Sequence, residues 1–134
     1  MSDIDRIVSA FYSAYNAHDA DAATRLYASE GWHEEVAMGG LRSGHAALRA
    51  GLEGLFRMLS DVHWQERQRI RSTESILVSY EMTGTFTPKP KEKGDDPAPR
   101  SIRLPGVHVF EFSDGTLQGT RDYWDKSLFL SQIT

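Results

Sequence analysis

"GVHVFEFSDGTLQGTRDYWD", residues 106–125, is the stretch on which the fold turns. Two runs of alternating apolar and polar residues flank Asp114-Gly115, a dipeptide that readily takes the positive φ values of tight turns. The stretch therefore reads as a β-hairpin. Its apolar alternation is interrupted twice: His108 falls in line with Phe110 and Phe112, and Asp122 in line with Trp124. An imidazole and a carboxylate are thus set on the apolar side of two neighbouring strands. If the register brings the two sets onto one face, their side chains are direct or diagonal cross-strand neighbours. Such a pair is either an acid/base site or a hydrogen-bonded structural pair, and alternation alone leaves both readings open.

Working outward, the period of two extends back to about Asp61. "VHWQERQRI" and "ILVSYEMTGTF" read as long strands joined by the polar link Ser72–Ser75. Residues 88–101 carry four prolines, many charges and almost no apolar groups, so they read as an exposed loop between strands. The last two strands are expected at about 102–112 and 116–125, and "DKSLFLSQI" reads as a short amphipathic end piece.

The N-terminal part has the helical period instead. Ile4, Ile7, Val8, Phe11, Ala14 and Tyr15 form one stripe, with Ser2 or Asp3 able to cap its start. Asp19 is placed to cap a second, shorter helix through Leu26 and Tyr27. "GWHEEVAM" then suggests a strand and "GGLRSG" a loop. Ser43 is the expected cap of a third helix, whose stripe is Leu48, Leu52, Leu55, Phe56 and Leu59. Helices first and a mostly antiparallel meander afterwards make an α+β fold, with the three helices covering one face of the sheet.

Composition narrows the function. At 134 residues, 40% hydrophobic and 25% charged, the chain is read as one domain, 1–134, of ordinary globular make-up. A formal net charge of −4 argues against nucleic-acid or anionic-membrane surfaces, which reward clustered Lys and Arg. The absence of cysteine excludes thiol nucleophiles, disulfides and Cys-ligated zinc. No run approaches the ~18 apolar residues of a membrane span, and the start lacks the features of a secretory signal, so a cytoplasmic protein is expected. "HEE" at 33–35 lacks the second histidine, one helical turn on, that the helical zinc pattern requires, so no metal is expected.

Taken together, "FYSAYNAHDADAATRLYAS", "LRSGHAALRAGL" and "LPGVHVFEFSDGTLQGTRDYWD" resemble the nuclear-transport-factor-2-like superfamily. Within it, the chain is most similar to the SnoaL-like polyketide cyclase and limonene-epoxide-hydrolase groups. The resemblance implies a cone, in which a strongly curved, mostly antiparallel sheet and three helices enclose an apolar pocket. It also implies a homodimer formed through the outer face of the sheet, a small hydrophobic molecule as partner, and no cofactor.

The same resemblance assigns roles. An aspartate at the position of Asp122 is the general acid/base of SnoaL-like cyclases, and a histidine at the position of His108 assists it. Those enzymes close a ring by an intramolecular aldol step, which needs a base for the proton α to a carbonyl and a donor for the enolate oxygen. Ketosteroid-isomerase-like members carry their base near Glu35, with Glu34 the alternative by one residue. They keep a tyrosine where this chain has Phe11, which cannot donate a hydrogen bond; Tyr15, one turn later, is the available substitute. The epoxide-hydrolase-like triad of aspartate, arginine and aspartate is broken, because Glu81 and Thr83 stand at two of its positions. The expected catalytic residues are therefore Asp122 and His108, and the expected pocket residues Glu35, Tyr15, Phe11, Trp124, Phe110 and Glu81. The leading expectation is a cofactor-independent enzyme performing aldol-type cyclisation or isomerisation of a hydrophobic ketone. The alternatives are a non-catalytic domain for ligand binding or dimeric assembly and, as a minor one, an epoxide hydrolase.

Overall fold

The computed structural model describes residues 3–134. Four helices, α1 (Asp3–Asn16), α2 (Ala20–Arg25), α3 (His45–Met58) and α4 (Lys126–Ile133), accompany six strands. These are β1 (Tyr27–Glu35), β2 (Gly40–Ser43), β3 (His63–Arg71), β4 (Ser75–Phe86), β5 (Arg100–Ser113) and β6 (Thr116–Trp124). All six strands form one sheet in the order β2-β1-β6-β5-β4-β3. Every neighbouring pair is antiparallel except β1 and β6, which run parallel.

Local chemistry explains where the helices begin. Asp19 accepts from the Ala22 amide at 3.0 Å and caps α2, and Asp125 accepts from the Leu128 amide at 3.2 Å and caps α4. The Ser43 cap expected for α3 does not form. Ser43 ends β2 paired with Trp32, and Gly44, at φ 86°, makes the turn into the helix with no side-chain cap. Of the two caps expected for α1, Asp3 lies in the first helical turn and Ser2 lies outside the described residues.

The hairpin forms with Asp114 (φ 50°) and Gly115 (φ 77°) at its turn. Val8, Phe11, Tyr12, Ala14 and Tyr15 of α1 are buried with Ile76, Val78 and Tyr80 of β4 and Phe110 and Phe112 of β5. The α1 stripe thus covers the inner face of the sheet.

Two expectations about the sheet need correction. "GGLRSG" is not all loop, since Gly40–Ser43 pairs with β1 as an edge strand. The expected strong curvature is also absent: the sheet is open, β2 and β3 remain its two edges, and it neither closes nor curls strongly. Curling a sheet takes repeated bulges or glycine kinks. Here β4 and β5 pair without a break from Ser75↔Glu111 to Phe86↔Arg100, and the β1–β6, β3–β4 and β5–β6 ladders carry one irregularity each.

Candidate functional site

His108 and Asp122 are directly paired across β5 and β6, which settles the register question raised by the hairpin. Both point to the inner face. His108 is 1% exposed and Asp122 9%. His108 Nε2 lies 3.5 Å from Asp122 Oδ2, and His108 Nδ1 lies 2.7 Å from the Tyr12 hydroxyl. Asp122 Oδ1 accepts a hydrogen bond from the Tyr80 hydroxyl at 2.6 Å, and the Tyr80 ring stacks on the imidazole at 4.6 Å. The four side chains form one chain of polar contacts, Tyr12–His108–Asp122–Tyr80.

Burial and charge set the state of the two phenols and of the carboxyl. Burial, followed by the nearby Asp122 charge, raises the Tyr12 and Tyr80 phenols far above their usual range, so both keep their protons. The protonated Tyr12 hydroxyl meets His108 at Nδ1, while Nε2 faces Asp122. Burial alone pushes the Asp122 carboxyl up. The charge and hydrogen bond of His108, the Tyr80 hydroxyl and the charge of His33 together outweigh it, so the carboxyl sits below its ordinary value.

Asp122 also lines a cavity of about 410 Å³ between the inner face of the sheet and α3. Leu48, Leu52, Leu55 and Met58 of α3 supply an apolar wall, and Tyr15, Tyr27 and Trp64 an aromatic one. The Trp64 indole N–H is buried in that wall without an acceptor among the described residues. His33, Glu35 and Arg42 complete the polar lining.

Strand parity separates Glu35 from Glu34. Glu35 pairs with Asp122 and faces the cavity, and its Oε1 accepts from the Trp124 indole N–H. Glu34 pairs with Arg121 on the outer face and forms an ion pair with it at 3.0 Å. Tyr15 lines the cavity as expected, whereas Phe11 and Phe110, both 0% exposed, pack around His108 behind it. Trp124 reaches the site through Glu35. Glu81 does not line this cavity. It lies on the opposite face of β4, in ion pairs with Arg67 at 2.8 Å and with Arg103, because its parity is opposite to that of Tyr80.

Three contributors were not among the expected site residues. Tyr80 and Tyr12 hold the His–Asp pair, and His33 joins Glu35 and Asp122 at the cavity. Gly106 was the available signal for Tyr80. A glycine inside a strand marks a close approach, and a Cβ at Gly106 would overlap the Tyr80 hydroxyl. One donor atom each from His33, Glu35 and Asp122 lies within 4.8 Å of the other two, an arrangement built from two parallel strands rather than one helix.

A family model described as a SnoaL-like domain matches residues 8–119, from within α1 to the first part of β6. The chain belongs to the SnoaL-like family. No curated protein matches it at a significant level. Among solved structures, an NTF2-like protein of unknown function from Burkholderia pseudomallei superposes with a TM-score of 0.83 at 22% identity, covering 100% of this chain and 99% of that one. A candidate polyketide cyclase from Xanthomonas campestris pv. campestris gives 0.80 at 21% identity, covering 98% and 97%. A protein of ketosteroid-isomerase-like fold from Catenulispora acidiphila, solved in complex with trimethylamine, gives 0.79 at 21%, covering 94% and 90%. At these identities the likeness to the three structures is one of fold.

Proposed function

We propose that this SnoaL-like protein is a cofactor-independent enzyme that moves a proton on a hydrophobic ketone or polyketide-like molecule, in an aldol-type cyclisation or an isomerisation. The observation that carries the reading is Asp122, a carboxylate that lines the cavity while His108 and Tyr80 hold its oxygens from behind. Its lowered pKa keeps it ionised at neutral pH, the state a general base requires. An apolar ligand filling the cavity expels water from the carboxylate and raises its proton affinity toward the range of efficient transfer.

In this mechanism Asp122 takes the proton α to the carbonyl and returns it to the product. His108 does not line the cavity, so its role is to orient Asp122 and stabilise its charge. The oxyanion-donor role implied by the resemblance passes to a group in the cavity wall, and the unpartnered Trp64 N–H is the candidate. The relative solved with trimethylamine supports use of such a fold for small-ligand binding.

The test is deuterium incorporation α to the carbonyl of a panel of aromatic and polycyclic ketones in D₂O, followed by NMR. Asp122→Asn is expected to lower the exchange rate by about 10²–10⁴-fold, the usual worth of a positioned base. Ligand affinity, read from quenching of tryptophan fluorescence, is expected to change little. Undiminished exchange in that variant rejects Asp122 as the base. Binding without exchange in the wild type leaves a ligand carrier instead of an enzyme.

A further inference from the structure

The SnoaL-like reaction proposed above uses Asp122 but gives no task to the imidazole and second carboxylate beside it. His33 and Glu35 are two residues apart on β1, so both face inward, and Glu35 is the register partner of Asp122 on β6. Parallel pairing of these strands thus brings one nitrogen and two oxygen ligands to the same end of the cavity.

Each of the three side chains is fixed through its other polar atom. His33 Nδ1 lies 2.7 Å from Thr120 Oγ1, and Thr120 is itself fully buried and bonded to the Tyr27 hydroxyl at 2.6 Å. Glu35 Oε1 is held by the Trp124 indole, and Asp122 Oδ1 by Tyr80 at 2.6 Å. The other carboxylate oxygen, Asp122 Oδ2, has His108 Nε2 at 3.5 Å, beyond ordinary hydrogen-bond length, and keeps lone pairs to share. The Thr120 oxygen has two acceptor lone pairs, enough for the His33 Nδ1–H and the Tyr27 hydroxyl together. In that tautomer His33 Nε2 carries a free lone pair. It faces Glu35 Oε2 at 4.0 Å, too far for a hydrogen bond.

Outer partners that fix the remote atom of each ligand, leaving the near atoms converged on one point, are the usual construction around a bound metal ion. Bond lengths of about 2.0–2.2 Å put two ligands of one ion ~3 Å apart when adjacent and ~4 Å apart when opposite. The 4.0 Å His33–Glu35 separation, and the 4.8 Å limit on the whole group, close onto that range with sub-ångström side-chain rotation. The two carboxylates supply negative charge at the end of an otherwise apolar cavity, where Arg42 is the cationic side chain in the lining.

We propose that His33, Glu35 and Asp122 form a three-ligand site for a divalent transition-metal ion, with its remaining coordination positions open to the cavity. One imidazole with two carboxylates suits the borderline cations Zn²⁺, Co²⁺, Mn²⁺ and Fe²⁺ rather than soft thiophilic ones. The site shares Asp122 with the proposed base, so a bound ion and proton abstraction compete for one carboxylate. The ion is then an inhibitor of the metal-free reaction.

Calorimetric titration of chelator-treated protein with CoCl₂ and with ZnCl₂ tests this without any substrate. One equivalent is expected to bind, and His33→Gln and Glu35→Gln are each expected to weaken it at least tenfold. Gln at 33 retains a polar group for Thr120, and circular dichroism reports whether either variant is folded. The exposed His63 serves as control, and His63→Ala is expected to bind as wild type. No saturable uptake, or wild-type affinity in both glutamine variants, overturns the proposal. Where ketone exchange is measurable, saturating Zn²⁺ is expected to suppress it, and exchange unaffected by bound Zn²⁺ removes Asp122 from the ligand set. Because uptake is read on the free protein, failure of the ketone reading leaves this result standing.

Discussion

Tyr80 touches both members of the central pair, donating to Asp122 and stacking on His108. Tyr80→Phe keeps the stack and removes the donor. The lost bond goes to a charged acceptor, so the variant is expected to lose about 1.5–3 kcal/mol of stability at neutral pH, measured by urea unfolding. Removing a donor to the ionised form also raises the Asp122 pKa, so the acidic limb of the pH–rate profile is expected to move to higher pH. An unmoved limb would mean that Tyr80 does not tune the carboxylate. At this scale the sequence was partly legible. His108 and Asp122 stood out because each breaks an apolar alternation, and register then made them partners. Tyr12 and Tyr80 did not stand out, because a tyrosine in an apolar stripe looks like core until a polar partner is known. Finding the partner of Tyr12 requires the rotation of α1 over β5, which no local pattern encodes.

Strands made these contacts possible through two glycines that let aromatic rings lie against the backbone. A Cβ on Gly119 would fall inside the Trp32 ring, and one on Gly106 would overlap the Tyr80 hydroxyl and approach the Tyr123 carbonyl to 2.9 Å. Gly106→Ala therefore pushes Tyr80 away from Asp122 while leaving both side chains chemically unchanged. Overpacking of this kind is expected to cost about 1–3 kcal/mol in urea unfolding and to slow ketone exchange in parallel with Tyr80→Phe. Stability lost with exchange retained would show that the strand adapts without moving the phenol. Elements with a strong period, α1, α3 and β3 to β6, were legible within a residue or two. The β2 strand was not, because all four of its residues are exposed and two charged or glycine positions leave no alternation to read. Curvature was misjudged because it was taken from resemblance. The bulges that would bend a sheet are a matter of register, which the hydrophobic pattern constrains only by face.

For the molecule as a whole, the consequence of burying Asp122 against His108 is a dependence of stability on acid. The carboxyl has a folded pKa below its ordinary value of 3.8, so the unfolded chain takes up its proton first as pH falls. A depressed carboxyl contributes stability that is fully present above its unfolded pKa and is lost as pH drops through the folded one. In metal-free protein, the free energy of unfolding is therefore expected to fall with decreasing pH from about 4 downward, with up to about 1.4 kcal/mol per pH unit attributable to this one proton. Asp61 titrates in the same window, since the hydroxyl and amide of Thr85 hold its exposed carboxyl below the ordinary value as well. The comparison must therefore be made in an Asp61→Asn background, with thermal unfolding followed by circular dichroism between pH 2 and 6. Adding Asp122→Asn is expected to lower stability at neutral pH and to flatten the remaining acid dependence. Parallel curves with and without Asp122→Asn would show that the His108–Asp122 pair does not couple folding to the proton.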